Sequence, residues 1–146
     1  MNCNSKLKDI SYTPKKILIV DDSEENREFL VDMLQNFGKH ECLIACNGLE
    51  AYELYKSNLD IDLLITDVNM PLMCGKTLIK KIRQNETSEK IKIIMMSGRE
   101  IEEDFVKQNC VCLKLEKPFG FVDLVEKIEN IFVNSNCKNE TNCKNK

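Results

Sequence analysis

The chain has 146 residues, of which 42% are hydrophobic, with only 5 Gly and 3 Pro. That composition predicts one globular domain rather than a disordered chain. Its 21 basic and 24 acidic residues leave a net charge of −3, so no global positive field recruits nucleic acid or an anionic membrane.

The elements alternate in chain order. A first strand is predicted at Lys16 to Val20, followed by Asp21-Asp22 and a helix. Ser23 caps that helix, with Glu24 and Glu25 in its first turn. Phe29, Leu30, Met33, Leu34 and Phe37 recur on it at helical spacing before Gly38 ends it. A second strand (Cys42 to Cys46) precedes a helix from Gly48 to Ser57. A third (Leu63 to Thr66) runs into Asp67, and a helix follows from about Lys76 to Arg83. The fourth strand (Ile91 to Met96) leads to Ser97 and a short polar helix from about Glu100 to Gln108. The fifth (Val111 to Leu115) leads to Lys117 and a helix from Val122 to Phe132 that buries Leu124, Val125, Ile128 and Ile131.

Repeated strand-helix pairs are the pattern of a parallel sheet with helices on both faces, an α/β fold. The runs ILIV, LLIT and IIMM are apolar at consecutive positions, as strands covered on both sides should be. This organisation predicts a domain over residues 16–133, a flexible N-terminal extension over 1–15 and a disordered Asn/Lys/Cys tail over 134–146, where S-N-C-K-N-E is nearly repeated as T-N-C-K-N-K.

No apolar run approaches the roughly 20 residues that span a bilayer, and Met1 to Lys16 lacks the apolar centre of a signal peptide. The expectation is a cytoplasmic protein without membrane insertion. Most of the 8 Cys lie in apolar runs without the spacing of a disulfide scaffold, which predicts buried reduced thiols. Cys110-x-Cys112 is not Cys-x-x-Cys, and His40 is the single histidine, so zinc ligation has little support.

In an open doubly wound sheet, ligands bind outside the carboxyl ends of the strands, near the point where strand order reverses. The residues that follow the strands are Asp21 and Asp22, Asp67, Ser97, and Lys117. Singly, each has an ordinary structural use as a cap, turn or surface residue. Jointly they form a constellation. Three converging carboxylates need a cation, and Mg²⁺ prefers hard oxygen ligands. An Asp carboxylate also attacks phosphorus to give an aspartyl phosphate. Positive charge from Lys117 and Mg²⁺, with a Ser97 hydroxyl, supplies what phosphoryl transfer needs.

These motifs resemble those of the response-regulator receiver domains of two-component signalling. The resemblance rests on D-D at 21 and 22, D-V-N-M-P-L-M-C-G at 67 to 75, Ser97, K-P-F at 117 to 119, and A-C-N-G-L-E-A at 45 to 51, which is similar to the family's second strand-helix junction. It implies a flavodoxin-like (βα)5 fold with strand order 2-1-3-4-5. It also implies that Asp67 accepts a phosphoryl group from a phosphohistidine on a histidine kinase or histidine phosphotransfer protein. Asp22, Asp67 and the Asn69 carbonyl would ligate Mg²⁺, with Asp21 assisting, while Lys117 pairs with the phosphoryl group and Ser97 swings toward it.

By the same resemblance, Lys117-Pro118 is expected to be cis; independently of it, Met70-Pro71 and Gly75 are expected to shape the loop after Asp67, Pro by fixing φ and Gly by permitting an unusual one. The module would be a switch rather than a turnover enzyme, with intrinsic Mg²⁺-dependent autophosphorylation and autodephosphorylation. It would stand alone or belong to a hybrid histidine kinase. Receivers usually carry an aromatic residue three positions before the Lys; here Lys114 stands there, and Cys110-Val111 replaces a usual Gly-Ala pair. The alternatives are a haloacid-dehalogenase-like phosphatase, which needs D-x-D after its first strand where this chain has D-D-S, and a nucleotide or flavin module, for which no Gly-rich phosphate loop is present.

Overall fold

A computed structural model describes residues 14–85 and 91–133. Most of the expected N-terminal extension and the whole expected tail lie outside the described residues, as do Cys3, Cys137 and Cys143. Among the described residues the chain forms β1 (Lys16–Val20), α1 (Glu24–Gly38), β2 (Glu41–Ala45), α2 (Gly48–Ser57), β3 (Leu63–Asp67), α3 (Gly75–Asn85), β4 (Lys92–Ser97), α4 (Glu103–Gln108), β5 (Leu113–Glu116) and α5 (Phe121–Val133). The strands pair in parallel in the order β2-β1-β3-β4-β5, the flavodoxin-like order expected.

Side chains alternate across each strand, so the sheet divides the core in two. Ile17, Ile19, Leu63, Ile65, Ile94 and Met96 face Leu30, Met33 and Leu34 of α1 and Leu124 and Ile128 of α5. Leu18, Val20, Leu64, Ile93 and Met95 face Ala51 and Tyr55 of α2, Leu78, Ile79 and Ile82 of α3, and Phe105 of α4. β3 is buried at every position because neither of its faces meets water.

Several expectations are corrected. Phe29 and Phe37 share the helical period of α1 but are 48% and 67% exposed, because Leu30, Met33 and Leu34 already fill the seam against the sheet. Val125 and Ile131 are only half-buried on α5. The left-handed cap of α1 is Lys39 at φ 55°, one residue beyond Gly38, and its amide bonds back to Gln35 and Leu34 carbonyls. β2 starts and ends one residue earlier than expected. β5 starts two residues later, because Cys110 turns through φ 52° and the Val111 amide bonds to the Val106 carbonyl instead of the sheet.

The thiols depart from the expected buried, reduced set. Cys46 is exposed and Cys42 and Cys74 are half-buried free thiols, while the buried Cys110 is disulfide-bonded. Burial, with Glu41 adding to it, pushes the Cys42 thiol up to about 11. His40 is a buried structural residue whose Nδ1 accepts the Lys15 amide at 3.0 Å.

The amino edge of the sheet is fastened by Arg83 at the end of α3. Its guanidinium donates to the carbonyls of Asn109 (2.8 Å), Ile91 (3.0 Å) and Cys110 (3.0 Å). Charge-assisted bonds of this kind are worth more than neutral ones, and their loss strands carbonyls near the core. Arg83→Met is expected to cost about 3 kcal/mol in urea unfolding.

Candidate functional site

The site sits at the carboxyl ends of β1 and β3, the adjacent strands where sheet order reverses. Val20 registers with Thr66, so the residues that follow, Asp21 and Asp67, come side by side. Carboxylate oxygens of Asp21, Asp22 and Asp67 lie within 4.8 Å of one another. This is a hard-oxygen donor set of the kind that suits Mg²⁺ better than a soft metal.

The surroundings fix Asp21 fully. It is 1% exposed, and its Oδ1 accepts the Ser23 amide at 2.9 Å. Its Oδ2 accepts from Asn26 Nδ2 (3.4 Å) and Lys117 Nζ (3.3 Å). Arg27 Nη1 donates to the Asp21 carbonyl at 2.7 Å. Asn26 and Arg27 were not among the sequence candidates. Their signal was available, since residues five and six positions past Asp21 lie in the first turns of α1 and can reach back over its N-terminus.

Asp67 is less enclosed than Asp21. Its side chain is 12% exposed; Oδ1 accepts the Val68 amide at 2.8 Å, and Oδ2 accepts from Lys117 Nζ at 3.1 Å. Burial pushes the Asp67 carboxyl above the usual range, Lys117 and the Val68 amide pull it back, and the neighbouring Asp21 adds to the rise; the net direction is up. For Lys117 burial pulls downward, but the bonds to Asp67 and Asp21 and their charges outweigh it, and the ammonium is held above its ordinary value. Desolvation therefore wins at the carboxylate and pairing wins at the ammonium.

Lys117 reaches this point from β5 because its amide donates to the Ser97 carbonyl at 2.8 Å, extending the sheet by one bond. The Lys117-Pro118 peptide is cis, as expected. Ser97 ends β4 at 3% exposure, and its Oγ accepts the Arg99 amide at 3.0 Å. Asn69 is exposed in the loop after Asp67. Gly75 does not take an unusual φ; the left-handed residue of that loop is Leu72 at φ 69°. Gly75 is instead required by proximity, since a Cβ there would lie 2.1 Å from the Asp67 carbonyl oxygen.

Residues 17–129 match the response regulator receiver domain family. The chain belongs to that family. A CheY homolog (chemotaxis protein) of Campylobacter jejuni is 37% identical over 118 residues, covering 80% of this chain and 91% of that protein. Among solved structures, CheY4 of Vibrio cholerae superposes with a TM-score of 0.73 at 29% identity, covering 82% of this chain and 99% of that one. The Thermotoga maritima response regulator TrrA, solved in complex with Mg²⁺-BeF, superposes with a TM-score of 0.70 at 32% identity, covering 80% and 98%. This receiver is thus a two-component phosphorelay module, and the phosphatase alternative is set aside. No helix among its described residues is long and apolar enough to cross a membrane.

The receiver's β4-α4 region departs from the sequence expectation. α4 begins at Glu103 rather than near Glu100, because the preceding loop is tied down elsewhere. Lys114 Nζ donates to the Ile101 carbonyl (3.2 Å) and to Glu103 Oε2 (2.6 Å), and Ile101 is 4% exposed. Lys114 thus pins the loop that follows Ser97 from the neighbouring strand. Lys114→Ala is expected to speed amide exchange several-fold at residues 98–103, with global stability little changed because the ion pair is largely exposed. Unchanged exchange there would show that Lys114 does not hold the loop.

Proposed function

We propose that Asp67 is the phosphoacceptor, receiving its phosphoryl group from the phosphohistidine of a histidine kinase or histidine phosphotransfer protein. The observation that carries this reading is the junction of Asp67 Oδ2 with Lys117 Nζ at 3.1 Å, inside a three-carboxylate cluster. Asp22, Asp67 and the Asn69 carbonyl would hold Mg²⁺, with Asp21 behind them, and the ion would supply charge neutralisation for the incoming phosphoryl oxygens.

One Asp67 carboxylate oxygen attacks phosphorus; an O–P bond forms as the donor's P–N bond breaks, and the imidazole leaves carrying a proton. Lys117 stays within reach of both Asp67 and the transferred group, so its ammonium offsets the charge gained at the site. The Val68 amide keeps Asp67 from rotating out of line. The Ser97 hydroxyl oxygen accepts the Arg99 amide; turning its own O–H to donate to a phosphoryl oxygen draws Ser97 toward Asp67 and moves the β4-α4 loop.

The cleft lined by Phe29, Leu30, Met96 and Phe119 opens beside Lys117 and Asp21 with a volume of 390 Å³. Its apolar wall suits a helix of the donor, laid so that its phosphohistidine meets Asp67. The chain acts as a switch rather than a turnover enzyme, and the small donor acetyl phosphate stands in for the partner. The test is labelling by acetyl phosphate with and without Mg²⁺, followed by borohydride reduction and mass spectrometry. The expected product is homoserine at position 67, formed only with Mg²⁺; modification elsewhere, or labelling in chelator, would refute the assignment.

A further inference from the structure

The motif A-C-N-G-L-E-A at 45 to 51 supplies none of the reacting groups, yet its glycine touches the loop that carries Asn69. We infer that Gly48 is a positioning residue for the metal site, acting through the β3-α3 loop; this rests on the reading of Asp67 and the Asn69 carbonyl as Mg²⁺ ligands.

The loop from Val68 to Cys74 is secured at its start by the Val68 amide, which bonds to the Met96 carbonyl at 3.1 Å, and at its close by the Gly75 amide on the Val68 carbonyl at 2.7 Å. Its distal half is held from outside by Gly48, whose amide donates to the Met73 carbonyl at 3.0 Å. Gly48 is buried at the first position of α2. No glycine among the described residues has a positive φ, so backbone freedom does not explain this one. Proximity does. A Cβ at Gly48 would lie 2.3 Å from the Met73 carbonyl oxygen and 2.9 Å from Met73 Cβ. Both contacts are closer than real Cβ atoms tolerate, and the first is with backbone that cannot rotate aside.

The donor end of the contact is rigid. Asn47 caps α2 by accepting the Glu50 amide at 2.8 Å, and Glu50 Oε1 accepts the Cys46 amide at 2.9 Å. A side chain at position 48 would therefore displace the loop rather than the helix. Asn69 lies four residues before Met73 in that loop. Mg²⁺ demands near-ideal octahedral geometry with bonds of about 2.0–2.1 Å, so a displaced Asn69 carbonyl is a lost or weakened ligand.

The experiment is titration of the full chain with Mg²⁺ alone by isothermal calorimetry. Gly48→Ala is expected to weaken Mg²⁺ binding at least about tenfold, because relieving the 2.3 Å contact must move the Met73 carbonyl and its loop, and Mg²⁺ tolerates little departure from octahedral geometry. Ala51→Gly, which loosens the same helix without adding a Cβ against the loop, should bind within about twofold of the parent chain. Equal affinity in Gly48→Ala, or an equal loss in Ala51→Gly, would overturn the inference. A second readout needs no variant. By reciprocity, if the Gly48 contact favours Mg²⁺, then Mg²⁺ must favour the contact, so exchange of the Gly48 amide should slow on Mg²⁺ addition while that of the Ala51 amide, bonded to the Asn47 carbonyl within α2, does not. Unaltered Gly48 exchange overturns it equally. Absence of Mg²⁺ binding by the parent chain would instead remove the metal-site reading itself.

Discussion

Replacing Asp67 by Asn is expected to abolish labelling by acetyl phosphate and, in metal-free buffer at neutral pH, to make the protein more stable. The first effect follows from removing the carboxylate proposed as the nucleophile, for which an amide oxygen is no substitute. The second follows from the direction of the Asp67 shift. Burial, only partly offset by Lys117, raises the carboxyl above its ordinary value. A raised carboxyl contributes its full stability below the ordinary carboxylate range and loses it as pH rises through the folded value. At neutral pH the ionised Asp67 is therefore a liability that Asn relieves at nearly the same volume. The gain should be about 0.5–2 kcal/mol, or roughly 2–6 °C in Tm for a domain of this size.

Adding Mg²⁺ should reverse the ranking, because an ion bound to the native state stabilises it in proportion to ln(1 + [Mg²⁺]/Kd) and Asn is the poorer ligand. Scanning calorimetry in chelator and in Mg²⁺ checks both signs. A metal-free Asp67→Asn protein that melts below the parent would refute the account of Asp67 as a strained carboxylate, and retained labelling would refute its role.

Lys117→Met is expected to slow phosphoryl acceptance by about 10²–10³-fold, the usual cost of removing one charged stabiliser of a developing anion. Mg²⁺ affinity should change the other way. Lys117 Nζ now bonds Asp67 Oδ2 and Asp21 Oδ2, so deleting it leaves more negative charge for the ion. The pairing that raises the Lys117 ammonium contributes stability below the ordinary lysine value and loses it only as pH rises through the folded one. At neutral pH the metal-free variant therefore loses that contribution in full. Slower labelling with tighter Mg²⁺ binding is a combination that a folding defect does not produce. Stopped-flow labelling and calorimetric titration measure the two arms, and weaker Mg²⁺ binding by the variant would overturn the electrostatic argument.

Much of this was legible in the chain because strands buried on both faces write themselves as continuous apolar runs. ILIV, LLIT and IIMM located β1, β3 and β4, and the polar residue after each strand marked the carboxyl edge of the sheet. Periodicity served less well where a helix is apolar beyond its seam. Phe29 and Phe37 carry the right spacing but face outward, since spacing defines an arc and only the neighbouring layer decides how much of that arc is covered.

Local turn chemistry was legible in kind but not in place. That the loop after Asp67 needed special residues was visible at Met70-Pro71 and Gly75, yet the left-handed position fell on Leu72. Gly75 and Gly48 answer to contacts with residues distant in the sequence or across a turn, which no local rule contains. Lys114 is a similar case: its identity was readable as unusual, but its partners, Ile101 and Glu103, depend on how β5 lies against the β4-α4 loop.

The sequence by itself determined the alternation of strands and helices, the family, and the residues that end each strand, because burial and chain direction leave a periodic record in residue type. Only the tertiary structure decided which of those residues meet. Asp21 and Asp67 are neighbours because β1 and β3 pair in one register, and Lys117 reaches them because its amide continues that sheet from Ser97. Distances of about three ångströms between groups 50 and 96 residues apart are set by packing across the whole domain. No local pattern encodes them.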